Sequence, residues 1–401
     1  MTTAKRPITL ILIDHYLPGY RSGGPARTTA NTVEWLGDDI CFYILTKDRD
    51  YGESVPYPDL QTGMWHQVGK AQVRYLSPQE LMLPNLFRIL RDTPHDIIYT
   101  NSTFSTRTVV VLIFARLGLV RKPIILAPRG SLSAGALRLK SAKKRLYLAL
   151  ARLFGLYERI HWHSTSDDEI RDIRSIFGTQ NKLSITHIPN LPTPISDRIT
   201  RTRIKQSGSA RIVMLSRISR MKNLEFVAEA LNGVQGVVIL DFWGPIEDQA
   251  YWESCLHKFG KLPANITIRH QGSVSPDRVT EVLSQYDLFF MPSLSENFGH
   301  AILEALCAGC PVLISDQTPW KDINERGAGW SLPLAEPNRF RSVIQSIVDA
   351  DEATLQAFID NAYTYGSGYY VSSSKVAVED TRRLLVETAT ISNGSSKDGD
   401  L

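Results

Sequence analysis

The run Pro292-Ser293-Leu294-Ser295-Glu296-Asn297-Phe298-Gly299-His300-Ala301-Ile302-Leu303-Glu304-Ala305-Leu306 decides how this chain is read. It follows an apolar, strand-like stretch at 287–291 and opens an amphipathic helix. Glu296 stands in the loop ahead of that helix, where the main-chain N–H groups of Asn297, Phe298 and Gly299 can face an anion. Gly299 carries no side chain to keep a phosphate or a sugar off the backbone. Glu304 lies beyond the first helical turn, where its carboxylate can accept hydrogen bonds from a diol such as a ribose. His300 directly follows Gly299 and is the histidine best placed to meet a substrate. Each Glu taken singly is unremarkable, an acid favoured by the helix dipole or one on a helix surface.

Outward from this run, apolar strand-like segments alternate with helix-period segments almost throughout, which predicts parallel sheets flanked by helices. Strands are expected at 8–14, 40–45, 97–100, 124–127, 159–163 and 184–188 in the first half. In the second they are expected at 211–215, 237–242, 266–271, 288–291 and 311–314. The Pro-rich stretch Pro189-Asn190-Leu191-Pro192-Thr193-Pro194 and the polar residues through Ser209 break the periodicity and read as a linker. Two doubly wound α/β domains follow, 1–195 and 196–375, with a last helix at 376–391 and a polar, disordered tail at 392–401. Ligands of such sheets gather at the carboxyl ends of the strands, so the loops after strands are where chemistry is sought.

Composition agrees with this reading. The 401 residues are 43% hydrophobic and 21% charged, which excludes a disordered, collagenous or coiled-coil chain. Four scattered cysteines do not make a disulfide framework and fit a reducing compartment. Cys307 and Cys310 form a CxxC with no second ligand pair and apolar neighbours, so buried packing is expected there. The apolar run at 8–13 is ended by Asp14 and reads as a first strand, not a signal-peptide core. The run at 109–120, broken by Arg116, falls short of the roughly 20 residues that span a bilayer. Residues 1–195 hold 25 Lys and Arg against 16 Asp and Glu, and residues 196–401 hold 20 against 25. The basic first half suggests an anionic surface or an acidic partner, or a solvated face. No nucleic-acid partner is expected.

The Glu-x7-Glu spacing of Glu296 and Glu304, with its surroundings, resembles the retaining GT-B glycosyltransferases of glycosyltransferase family 4 (glycosyl transferases group 1). The resemblance implies two Rossmann-like domains facing across a cleft. It implies that Glu296 contacts donor-sugar hydroxyls and that Glu304 binds the nucleotide ribose. A second stretch supports it: Leu215-Ser216-Arg217-Ile218-Ser219-Arg220-Met221-Lys222-Asn223 follows the first strand of the second domain. There the family sets an Arg and a Lys, matched by Arg217 and Lys222, on the donor diphosphate. A leaving nucleoside diphosphate gains negative charge as the glycosidic bond breaks, and fixed cations stabilise it, as a metal does elsewhere. The family's Gly-Arg-Leu is Ser216-Arg217-Ile218 here, so the charge is kept and the glycine is not.

Further motifs are of unequal weight. Trp243-Gly244-Pro245 is similar to the family's glycine-containing loop near the nucleotide base, and a plain turn explains it as well. Ser22-Gly23-Gly24-Pro25-Ala26 is similar to the first glycine-rich loop, where bare backbone approaches donor phosphates or the acceptor. Ala127-Pro128-Arg129-Gly130-Ser131-Leu132 matches a loop in which many members carry a sugar-contacting His, replaced here by Arg129 as in a subset associated with cell-surface polysaccharide assembly. A basic helical stretch at 137–153, with Lys140, Lys143, Lys144 and Arg145, docks on anionic lipid headgroups or packs on the core with a solvated basic side. Asp48-Arg49-Asp50 is a DxD triplet of the kind that holds a divalent metal in glycosyltransferases of another fold. It stands too early in the chain and would leave the second domain unexplained. His15, His161 and His163 read as satisfied structural residues.

The implied activity is transfer of a sugar from a nucleotide-sugar donor to a hydroxyl acceptor with retention, metal-independent and without a cofactor. The acceptor is expected to be a glycan or a lipid-linked glycan, and the protein cytoplasmic or peripheral on the inner face of the membrane. Two alternatives stand beside it, a nucleotide-sugar epimerase of the same fold and a non-catalytic membrane-associated subunit.

Overall fold

A computed structural model of the chain describes residues 6–19, 21–138, 141–178, 183–194 and 198–394. The chain divides into two compact units, residues 1–193 with 374–401, and residues 194–373.

In the first unit, β1 (Ile8–Leu12), α1 (Gly24–Leu36), β2 (Cys41–Lys47), β3 (Trp65–Val68), β4 (Ala71–Leu76), α2 (Leu83–Asp92), β5 (Ile97–Asn101) and α3 (Thr106–Arg116) lead into β6 (Ile124–Ala127). There follow α4 (Ala134–Arg138), α5 (Ser141–Leu153), β7 (Ile160–Ser164), α6 (Asp167–Phe177) and β8 (Ser184–His187). The strands form one sheet in the order β3-β4-β2-β1-β5-β6-β7-β8, parallel except for β3, which runs antiparallel to β4. The β5 and β6 side chains are all buried, as they must be in a parallel strand covered on both faces.

The second unit contains β9 (Ser209–Leu215), α7 (Leu224–Leu231), β10 (Val237–Trp243), α8 (Gln249–Phe259), β11 (Ile266–His270), α9 (Val279–Leu283) and β12 (Leu288–Met291). It continues with α10 (His300–Cys307), β13 (Val312–Ser315), β14 (Gly329–Leu332) and α11 (Pro337–Asp349). Its sheet runs β11-β10-β9-β12-β13-β14, with every pairing parallel. The chain moves outward from β9 through β10 to β11, then returns to place β12 on the other side of β9. That reversal makes the carboxyl ends of β9 and β12 the topological switch point, the place where open α/β sheets receive ligands.

A single helix, α12 (Glu352–Gly394), closes the chain. Leu355, Ile359 and Ala362 belong to the core of the second unit, and Ala377, Leu384, Leu385 and Ala389 to a core cluster of the first. The sequence reading is corrected here, because the last helix starts 24 residues before 376 and runs through Gly394 into the stretch read as a tail. Residues 395–401 lie outside the described residues.

Three strands escape the sequence reading. The β3–β4 hairpin turns at Gly69, whose φ of 56° suits glycine, and its segments are too polar to stand out as strands. The third, β14, is four residues long and edge-on, and no helix separates it from β13. The basic stretch at 137–153 is helical at 137–138, within α4, and from Ser141 to Leu153, in α5, while Leu139 and Lys140 lie outside the described residues. Lys144 is not available to a headgroup, since its ammonium donates to Ala136 O at 2.6 Å and sits 5.1 Å over the Phe104 ring. Among the described residues no helix is long and apolar enough to cross a membrane.

Candidate functional site

At the switch point of the second unit, five loops are laced together by main-chain hydrogen bonds. Ser216 N donates to Trp243 O and Ile218 N to Pro245 O, both at 2.9 Å, joining the loops after β9 and β10. Gly244 N donates to Gly272 O at 2.7 Å, adding the loop after β11. Leu294 N donates to Met221 O at 2.8 Å and Glu296 N to Gln317 O at 2.9 Å, adding the loops after β12 and β13. Backbone groups tied in this way hold the side chains above them in fixed positions.

Lys222 ends a 3-10 turn, Arg220–Lys222, and Asn223 beside it takes the left-handed conformation at φ 55° before α7 begins. This geometry delivers the Lys222 ammonium to the Glu296 carboxylate, and the two form an ion pair with both side chains mostly buried. Two residues 74 positions apart in sequence, one from each side of the switch point, therefore meet. Arg217, five residues earlier, is held by Glu247 at 2.7 Å, and the Arg220 guanidinium lies 5.1 Å from the Tyr251 ring. Three cations thus stand on one short loop.

The loop from Glu296 to Gly299 enters α10 through Gly299, whose φ of 79° favours glycine. Phe298 is buried, and its carbonyl accepts from Trp320 Nε1 at 2.6 Å. The Trp320 ring packs on Tyr369 at 4.6 Å and on Phe298 at 5.9 Å, fixing the loop from beneath. His300 lies edge-on to Phe298 at 4.8 Å. Glu304 is half-buried on α10, one turn into the helix. Trp320 and Glu247 are functional candidates that the motif reading missed; both lie in loops after strands, the places the fold class singles out.

Gly244 has a physical explanation of its own. At φ 138°, a Cβ there would collide with the Ser216 carbonyl, so the close approach of the β9 and β10 loops requires glycine. Cys307 and Cys310 are buried, and burial together with the Glu304 charge pushes the Cys307 thiol up to about 12. Burial raises Cys310 as well, so both thiols stay protonated and serve as packing.

In the first unit, Gly23 precedes α1 at φ 76° and a Cβ on Gly24 would touch nothing, so the backbone there is open. Arg129 also has a positive φ, 54°. Its Nε donates to Asn101 Oδ1 at 3.1 Å, its Nη2 to the Tyr99 hydroxyl at 2.9 Å and its Nη1 to Asn190. The guanidinium that the resemblance assigns to the sugar is thus engaged on its own unit. Tyr99 in turn donates to His163 Nδ1 at 2.6 Å, leaving Nε2–H for Ile188 O at 3.0 Å. Burial, reinforced by Arg129, depresses the His163 pKa to about 3, so the ring is neutral. His161 is bound by Thr186 and Ser184. Asp48 pairs with Arg49, and Asp50 accepts from Tyr51 N at 2.7 Å.

Residues 196–365 match the family described as glycosyl transferases group 1, less than half of the chain and nearly all of the second unit. No curated protein matches the sequence significantly. Among solved structures, sucrose-phosphate synthase from Thermosynechococcus elongatus is similar, with a TM-score of 0.69, 17% identity, and coverage of 95% of this chain and 100% of that one. HepE from Anabaena, in complex with UDP and glucose, gives a TM-score of 0.65 at 16% identity, covering 94% and 99%. WaaG, a glycosyltransferase involved in lipopolysaccharide biosynthesis, gives 0.62 at 15% identity, covering 92% and 98%. The two α/β units are those of the GT-B fold.

Proposed function

We propose that the protein is a retaining, metal-independent glycosyltransferase that moves a sugar from a nucleotide-sugar donor to a hydroxyl of a glycan or lipid-linked acceptor. The setting is cell-surface polysaccharide assembly at the inner face of the membrane. The observation that carries this reading is the meeting of Lys222 and Glu296 at the switch point of the second unit, with Arg217 on the same loop. HepE's complex with UDP and glucose supports the donor class.

In this reading Lys222 and Arg217 stabilise the charge that develops on the leaving diphosphate. Glu296 holds Lys222 in the free protein and accepts hydrogen bonds from the donor sugar. The main chain at 297–299 orients that sugar, and His300 stands beside it. Glu304 accepts the ribose hydroxyls. Catalysis then rests on fixed charges, whose reorganisation cost is met during folding and not during the reaction.

The test is product analysis with UDP-, GDP-, ADP- and TDP-sugars in the presence of EDTA. Nucleoside diphosphate released with an α-configured product from an α-configured donor supports the reading. An isomerised nucleotide sugar would make the protein an epimerase, and donor binding without turnover a non-catalytic subunit. An anomerically inverted product would overturn retention.

A further inference from the structure

We propose that the first unit docks on an anionic lipid surface through one continuous face, made by the outward side of α5 and the adjoining end of α3. The proposal deepens the reading above, on which it rests for its purpose, by locating where a lipid-borne acceptor would be met.

The face is apolar where a soluble helix is normally polar. Leu146, Leu150 and Leu153 recur at i, i+4 and i+7 on α5, so they share one side, and they are 63%, 45% and 77% exposed. Leu148 and Ala151, on the opposite side, are buried in the core. The core therefore takes one side of α5 and leaves a second apolar stripe to solvent. Phe154 extends it at 59% exposed. Arg116 Nε donates to Phe154 O at 2.8 Å, tying the end of α3 to the end of α5, and Leu117 and Leu119 just beyond are 67% and 51% exposed. Scattered exposed apolar residues need no explanation, but a stripe continued onto a neighbouring helix end does.

Charge selects the occupant. From residue 97 to residue 157 the sequence contains eleven Lys and Arg and no Asp or Glu. Of these, Arg107, Arg129 and Lys144 are engaged within the unit, and Lys143, Arg145 and Arg152 decide the face. On α5 the leucine stripe is bordered by Lys143 on one side and by Arg145 and Arg152 on the other, all exposed. An apolar stripe between cationic borders matches the boundary between acyl chains and anionic headgroups. A second copy of this chain fits worse, because a twofold interface would place the exposed cations Lys143, Arg145 and Arg152 against themselves, with Glu158 beside Gly155 as the nearest acid in sequence.

The experiment is sedimentation of the full chain with vesicles of phosphatidylcholine alone and of phosphatidylcholine mixed with phosphatidylglycerol. Binding at least about tenfold tighter to the mixed vesicles, and weakened by salt, is expected. Leu150→Glu with Leu153→Glu should abolish it, and Arg145→Gln with Arg152→Gln should weaken it by roughly 25-fold at low salt. Equal binding to both vesicle types, or binding untouched in both double variants, would overturn the proposal. So would a dimer that the Leu→Glu pair dissociates without any vesicle binding, which would assign the face to a second copy. These side chains are exposed, so melting temperature and nucleotide-sugar binding should match the parent. Loss of vesicle binding with donor binding intact separates this proposal from the glycosyltransferase reading, and the Arg→Gln pair serves if the Leu→Glu pair does not fold.

Discussion

At the level of single residues, Lys222 bears most of the proposed chemistry. Its ammonium is held against Glu296 in the free protein, so the charge is in place before the donor enters. Lys222→Ala should lower turnover by about 10²- to 10³-fold, as removal of one preorganised donor does elsewhere, with a much smaller effect on melting temperature. Nucleoside diphosphate release and a thermal melt check this, and unchanged turnover would contradict the charge role. Gly244→Ala is the opposite case, because its predicted effect is on the fold. Collision with the Ser216 carbonyl should cost about 1–3 kcal/mol in urea denaturation. His163 gives a pH signature. Its pKa is about 3 in the folded protein and about 6.5 in an unfolded chain, so its contribution is complete above pH 6.5 and is lost as pH falls toward 3. Folding equilibria measured between pH 7 and 5 should fall by up to about tenfold per unit from this group, and His163→Gln should flatten that slope.

At the level of elements, α6 displays the same logic of local sequence setting local structure. Ser166 caps its first turn by accepting from Glu169 N at 3.2 Å. The Glu169 side chain does not return to Ser166 N as a capping box would. It accepts from Thr165 N at 2.8 Å and Gly130 N at 2.6 Å, tying the helix to the loop that carries Arg129. Ser166→Ala should cost about 1 kcal/mol, while Glu169→Ala, which leaves the buried Thr165 N–H and the half-buried Gly130 N–H without this partner, should cost about 2–4. Equal losses in urea denaturation would mean that the link to Gly130 carries no weight. The buried parallel strands were legible as continuous apolar runs, because both faces of such strands are covered. The edge strands β3 and β14 were not, because edge strands are half wetted and their composition resembles that of loops, and β4 was not, because Gln72 and Arg74 interrupt its apolar residues.

For the whole molecule, the sequence separated into two doubly wound units because the linker interrupts the periodicity near residue 194, where the second unit begins. Glu296, Lys222 and Arg217 were legible because the switch point of a parallel sheet gathers the loops after β9 and β12, and those loops carried the charged motifs. The supports of that site were not legible. Trp320 is identified only by the hydrogen bond it makes to Phe298 O, and Glu247 only by its ion pair. The first unit was the less readable half. Arg129 looked like a ligand contact from its loop position, and only the fold reveals the Asn101, Tyr99 and Asn190 groups that engage it.

The central claim is that the switch point of the second unit holds a nucleotide-sugar. It is tested most directly by titrating UDP-, GDP-, ADP- and TDP-sugars into the purified protein and into Glu304→Ala, with EDTA present, and following the melting temperature. The account predicts that at least one nucleotide-sugar raises the melting temperature of the parent and that Glu304→Ala weakens its binding by about tenfold or more, the loss of hydrogen bonds to a charged group. Absence of any shift, a shift that appears only with a divalent cation, or one of equal size in Glu304→Ala would contradict it.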